Sequence, residues 1–308
     1  MRGVNIFYLS TTLCSLLVGV VLFPVMAQQR PQFTQFMYNN LVINPAYAGA
    51  EEVLSLTLVN RNQWSGVEKA PTTQSFSAHT LLKKKKVGLG LTLISDRIGV
   101  HNNTSVLTNY AYHIRVGRQS TLSMGLQVGI TNLKSDYASL SGNSNDPNLT
   151  NSINETMLGF GTGIYFRSPK LHLGLSTPEL VSKSVQLNDT LSVSIRTMNL
   201  FGYARYRFTL SKFIEMEPGL MIKYFPDVPV SYDVNLNFIY KNVLTTGFSY
   251  RSKESVDFIL KLQLTSQLQF GYAYDYPVNY AANLSSASHE LMLNYQFRNI
   301  HKHVTSPR

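Results

Sequence analysis

Thr121-Leu122-Ser123-Met124-Gly125-Leu126-Gln127-Val128-Gly129-Ile130 alternates without a break: Leu122, Met124, Leu126, Val128 and Ile130 are apolar, and the residues between them are small or polar. Successive side chains of a strand leave opposite faces of the pleat, so this decapeptide offers one apolar face and one polar face. A strand with lipid on one side and a polar interior on the other needs this period. Outward from it, the same alternation recurs in about fourteen segments, the number and spacing of a membrane barrel. They lie near 53–62, 72–82, 87–96, 105–116, 120–131, 157–167 and 171–176, then 197–209, 213–225, 230–240, 243–250, 255–264, 267–276 and 288–298. The expectation is an all-β chain, a transmembrane antiparallel β-barrel of about 14 strands over 53–298.

Composition agrees with strands and excludes helical spans. Of the 308 residues 44% are hydrophobic and 14% charged, yet beyond the leader no apolar run reaches the roughly 18 residues a membrane helix requires. Eighteen Tyr and sixteen Phe are enough for aromatic girdles at two membrane interfaces. The leader, 1–27, carries Arg2, an apolar run from Leu13 to Phe23, and the ending Val25-Met26-Ala27 that a signal peptidase reads. It is expected to be a signal peptide. Cys14, the single cysteine, lies inside it, so the mature chain has no disulfide, thiolate nucleophile or cysteine metal site.

Connections between the expected strands alternate in length. Short ones fall at 83–86, 117–119, 168–170, 210–212, 241–242 and 265–266, and the others at 63–71, 97–104, 132–156, 177–196, 226–229, 251–254 and 277–287. Outer-membrane barrels keep short turns in the periplasm and longer loops outside. An even strand number then leaves 299–308 as a periplasmic tail. On this topology Lys83, Lys84, Lys85 and Lys86 form a basic periplasmic rim with Arg118, Lys170, Lys212 and Lys241 in a chain of formal charge +10. Such a rim either docks an acidic periplasmic partner or pairs with inner-leaflet phosphates. The inward faces carry both signs: Arg115, Arg205, Arg207, Lys223 and Lys261 with Glu215, Glu217, Asp233, Asp257, Asp275 and Glu290. Mixed signs indicate a knitted, hydrogen-bonded lumen, where a selective pore uses one sign.

Segment 28–52 breaks the alternation. Phe33, Phe36, Met37 and Leu41 recur at helical spacing, and Asn44-Pro45 with Gly49 marks turns around Tyr47. It is expected either to plug the lumen or to form a collar at the periplasmic mouth. The glycines Gly88, Gly90, Gly159, Gly161 and Gly163 mark close packing or strand curvature, since no P-loop Lys-Ser/Thr follows them.

Catalytic chemistry finds no support. The seven His are scattered, without His-Glu-x-x-His, Gly-x-Ser-x-Gly or paired carboxylates. The nearest approaches, His79 beside Ser75 and Ser77 and the pair His289-Glu290, read as structural hydrogen bonds. No catalytic residue, cofactor or metal is expected, and no nucleic-acid signature is present, because the basic residues lie in barrel turns.

Several runs carry a resemblance. Gln32-Phe33-Thr34-Gln35-Phe36-Met37-Tyr38-Asn39-Asn40, ending Ile43-Asn44-Pro45-Ala46-Tyr47-Ala48-Gly49, resembles the N-terminal signature of the PorP/SprF family of Bacteroidota outer-membrane proteins. Arg61-Asn62-Gln63-Trp64, Ala70-Pro71-Thr72-Thr73-Gln74-Ser75-Phe76, Asp96-Arg97-Ile98-Gly99 and Gly271-Tyr272-Ala273-Tyr274-Asp275 are similar to it in the same order. The resemblance implies an outer-membrane component of the type IX secretion and gliding machinery, with no known enzymatic activity. The partners it implies are a secreted protein with a type IX C-terminal domain, such as an adhesin, or periplasmic ring and motor components, besides the membrane lipids. Expected contact residues are Arg61, Asn62, Gln63 and Trp64 at a strand end, with Asn44, Pro45 and Tyr47. Trp64, the sole tryptophan, serves equally as an interfacial membrane anchor. A passive or substrate-specific porin is the alternative function.

Overall fold

The computed structural model describes residues 31–82, 86–137, 152–186, 192–225, 228–278 and 287–298, with the backbone alone at 179, 181–186 and 192–197. The expected leader, Lys83, Lys84, Lys85, the tail 299–308 and the centres of the two longest connections lie outside the described residues. The strands are β1 (Leu54–Asn62), β2 (Thr72–Leu81), β3 (Val87–Ile98), β4 (His101–Arg115), β5 (Thr121–Ser135), β6 (Ile153–Arg167), β7 (Leu171–Gln186), β8 (Ser192–Met198), β9 (Leu200–Tyr206), β10 (Phe208–Thr209), β11 (Ile214–Tyr224), β12 (Ser231–Tyr240), β13 (Leu244–Arg251), β14 (Ser255–Gln263), β15 (Leu268–Pro277) and β16 (Ser288–Phe297). Each pairs antiparallel with its neighbours, and β16 returns to β1 from Leu54↔Phe297 to Asn62↔His289. β9 joins β7 to β11 and closes the ring. Fourteen staves result, β1–β7, β9 and β11–β16, while β8 extends the line of β9 to pair with the far half of β7 and β10 is a two-residue continuation beside β11. This is the expected fold class.

β12 shows how sequence becomes wall. Tyr232, Val234, Leu236, Phe238 and Tyr240 are exposed on the outside, whereas Asp233, Asn235, Asn237 and Ile239 are buried within. Eight residues separate the two tyrosines, about 27 Å at ~3.4 Å per residue. With a strand tilt near 40° this is about 20 Å along the membrane normal, close to the ~25 Å apolar band of such barrels. Tyr224, Tyr250 and Tyr276 stand at the level of Tyr232, and Phe213, Tyr206 and Tyr295 lie toward the opposite rim, all of them exposed. At the latter rim the Lys241 ammonium lies 4.9 Å from the Phe213 ring centre and 5.3 Å from that of Tyr240. Lys241 and Asn242 both have positive φ, 51° and 56°, and Val243 N donates to Tyr240 O at 2.9 Å. Those angles make the tight primed turn whose twist matches a hairpin.

Strand existence follows the sequence, but four strands run further than expected at the end opposite Lys241. β3 reaches Ile98 and β4 begins at His101, leaving a two-residue connection where 97–104 reads as a loop, and β5 and β6 extend to Ser135 and from Ile153. The reason is chemical. Asn102, Thr104, Asn132, Asn154 and Thr156 occupy the outward positions there, so the outer face is polar and the apolar-outward alternation ends, although Leu133 and Met157 still pack together on the inner face. Pairing persists through the backbone and through Asn132 Nδ2, which donates to Asn154 Oδ1 at 2.9 Å and Thr156 Oγ1 at 3.1 Å. β7 likewise continues to Gln186.

The core lies inside the ring. Residues 33–37 and 39–50 are buried, and their side chains pack with inward Val59, Ala111, Tyr165, Tyr203, Ile259, Ala273 and Met292 in one apolar cluster. Of the two placements open for this segment, its described part lies within the lumen. The helical spacing resolves into three single 3-10 turns, Phe36–Tyr38, Asn40–Val42 and Pro45–Tyr47. Asn39, non-helical at φ −131° and ψ 60°, separates the first two, and Pro45 lacks the N–H a longer helix would use.

Candidate functional site

Chain position orders the lumen segment from one mouth to the other. At the long-loop end, Arg61 on β1 meets Asp275 on β15 at 2.7 Å and Glu290 on β16 at 3.3 Å. Thr34 occupies the centre of this group. Its hydroxyl donates to Asp275 Oδ2 at 2.6 Å and accepts from Arg61 Nη1 at 2.7 Å and Arg251 Nη2 at 3.2 Å. Its amide and that of Gln35 donate to the two Glu290 carboxylate oxygens, each at 2.8 Å. Alongside, Lys223 pairs with Asp233 at 2.9 Å and donates to Gln32 Oε1 at 2.7 Å. Arg61 and Glu290 are 1% and 0% exposed. Ions this deeply buried contribute little net stability as pairs, but leaving one unpaired is costly, so the network fixes where the segment must sit.

Further along, the segment binds through its backbone. Arg205 donates to Met37 O at 3.0 Å, Ser176 to Ile43 O at 2.6 Å, and Asn44 Nδ2 to Ile164 O at 3.0 Å, while Asn44 Oδ1 accepts from Ala46 N at 2.9 Å. The wall is glycine where contact is closest: a Cβ at Gly88 would overlap the Ala48 carbonyl, one at Gly125 the Ala46 backbone, and one at Gly163 the Asn44 amide. Tyr47 stands edge-on to Tyr165 and His79. Its phenol donates to Glu51 at 3.1 Å. At the short-turn mouth, Glu51 accepts from Gln296 at 2.8 Å and Glu52 pairs with Arg167 at 2.7 Å.

The structure separates the residues expected to act together. Asn44, Pro45, Tyr47 and Arg61 are all buried within the lumen. Asn62 is exposed, Gln63 N donates to Pro71 O at 2.9 Å, and Trp64 is 40% exposed with φ 49°. Trp64 N donates to Ser288 Oγ at 3.1 Å and Ser65 N to Ala287 O at 2.7 Å, which ties the loop 63–71 to the start of β16. Lys86 is exposed at the opposite rim. His79 accepts from Gly49 N at 3.2 Å and His289 bonds the Tyr272 hydroxyl at 2.8 Å, which are packing roles. No group of three or more His, Cys, Asp or Glu fit to hold a metal occurs among the described residues.

Sequence reasoning missed Thr34 as the hub, and Arg61 and Arg251 as lumen cations. Parity alone could have found the two arginines, since Arg61 shares the inward face of Thr57 and Val59, and Arg251 that of Ser249. Nothing local distinguishes Thr34.

The family described as "Type IX secretion system membrane protein PorP/SprF" matches residues 25–295. No curated protein sequence matched the chain. Among solved structures, the CymD monoaromatic hydrocarbon channel is similar with a TM-score of 0.51 at 11% identity, over 84% of this chain and 92% of that one. A TodX monoaromatic hydrocarbon channel mutant (deltaS2S3) gives 0.50 at 13%, over 83% and 93%. The outer membrane protein Omp33 of Acinetobacter baumannii gives 0.49 at 7%, over 80% and 98%. At these identities the likeness to CymD and TodX speaks for the outer-membrane barrel fold alone.

Proposed function

The chain belongs to the PorP/SprF family of type IX secretion system membrane proteins, and from that premise we propose that it binds a secreted surface protein, such as an adhesin, or a periplasmic ring or motor component, supporting secretion or surface attachment. The observation that carries this reading is that the family match, 25–295, takes in the lumen segment together with the barrel. The filled lumen supports a binding role over a porin role. A general porin needs a water-filled channel, whereas residues 33–50 occupy this one and are pinned at both mouths. Trp64 is the proposed outer contact, an exposed indole on a loop stapled to β16; amphipathic aromatics of this kind anchor interfaces.

The test is surface proteomics of cells lacking the chain, complemented with parent or Trp64→Ala. The expected result is that the parent restores display of the dependent secreted protein and Trp64→Ala lowers it by about tenfold, the scale of one aromatic hot spot, with barrel abundance unchanged. Unaltered display in the deletion strain would refute the secretion role. Display and abundance falling together in Trp64→Ala would make the indole a membrane anchor.

A further inference from the structure

At the short-turn mouth a cavity of about 440 Å³ opens beside the end of the lumen segment, between Gly49, Ala50 and Glu52 and the rims of β2 to β6. Three cations line it: Lys86, Arg115 and Arg167. Each stands at a parity that the chain uses for inward side chains, as Gly88, His113 and Tyr165 two residues away show. The sole acid of the lining, Glu52, is taken by Arg167 at 2.7 Å. Lys86 and Arg115 form no ion pair among the described residues. The polar floor is already satisfied, with His113 bonded to Ser123 Oγ at 2.6 Å and to Ala48 O at 2.8 Å. At the other mouth the opposite holds, for Arg61, Lys223 and Arg251 all face carboxylates within 4.0 Å.

We propose that this cavity is a carboxylate-binding pocket that receives an acidic segment of a periplasmic protein. Its volume suits a few side chains, and an arginine fork beside a lysine suits a carboxylate held by charge-assisted hydrogen bonds. Orientation decides against lipid as the ligand. Headgroup phosphates ring the outside of a barrel, where Lys241 already lies over Phe213 and Tyr240, whereas Lys86 and Arg115 converge on the aqueous mouth. A guest there would touch Gly49, Ala50 and Glu52, at the end of the segment that fills the lumen. That the guest comes from a periplasmic protein rests on the proposed secretion role; the carboxylate chemistry does not.

The experiment uses the full chain in zwitterionic nanodiscs and a fluorescein-labelled hexaglutamate peptide, read by fluorescence anisotropy. Lys86→Gln with Arg115→Gln is expected to weaken binding by about tenfold or more, as the loss of charge-assisted bonds requires. The control pair Lys212→Gln with Lys241→Gln, equal in charge but away from the cavity, is expected to leave it within about twofold, a screened long-range effect. Both substituted residues of the test pair are exposed, and heat-modifiable mobility verifies that each barrel is closed. Absence of peptide binding by the parent, or equal losses from the two pairs, overturns the pocket. So does a test pair that alters only affinity for phosphatidylglycerol vesicles. If the pocket fails while deletion of the chain still abolishes surface display, the secretion role stands without it.

Discussion

Glu290 accepts two backbone amides and an arginine while wholly buried, so its charge is tied to the presence of Thr34 and Gln35. Replacing it with Ala leaves Arg61 with Asp275 as its one carboxylate and two buried N–H groups unpaired. A cost of about 3–5 kcal/mol is expected, the range for breaking one side of a buried pair, measurable as a lower urea midpoint for loss of the heat-modifiable band. An unchanged midpoint would mean that water replaces the carboxylate. Thr34 illustrates why the site was only partly legible. Its partners are 27, 241 and 256 positions away in sequence, and no spacing rule reaches that far. Arg61 was legible by parity as a lumen residue, yet its place next to Trp64 at a strand end suggested the surface.

Strands were legible wherever lipid imposed alternation, as on β12, and lost their signal where Asn102, Thr104, Asn132 and Thr156 replace apolar residues on the outer faces of β4 to β6. The helical spacing of the lumen segment gave its turns but not its path, because the segment is buried and turns three times within twelve residues. Its wall left a trace in the glycines: the close packing expected at Gly88 and Gly163 is contact with Ala48 and Asn44. Gly125→Val should therefore lift the Pro45–Tyr47 turn without disturbing the outer face of β5. With Val42→Cys as reporter, in a chain whose other cysteine is Cys14, maleimide labelling is expected to be slow in the Gly125 parent and at least about tenfold faster in Gly125→Val, since labelling of a buried thiol follows local opening. Equal rates would show that the wall yields and the segment stays.

At the scale of the whole molecule, ring and filling act as one object. The purified parent is expected to pass little current in planar bilayers, and a chain lacking 33–49, once shown closed by its mobility, several times more, because an empty ring of this strand number encloses water. Similar currents from the two would mean that ions already pass beside the segment. The closing register bears on how such an object is made. Arg61 and Glu290 are directly opposed across the β1–β16 seam, and the same Glu290 holds the Thr34 and Gln35 amides. First and last strands thus meet through a residue whose hydrogen bonds are completed by the segment. Closure and filling therefore share one residue: a ring that shuts empty keeps its Arg61–Glu290 pair but forgoes two amide donors to that carboxylate, so the better-bonded seam is the one closed around the N-terminal segment.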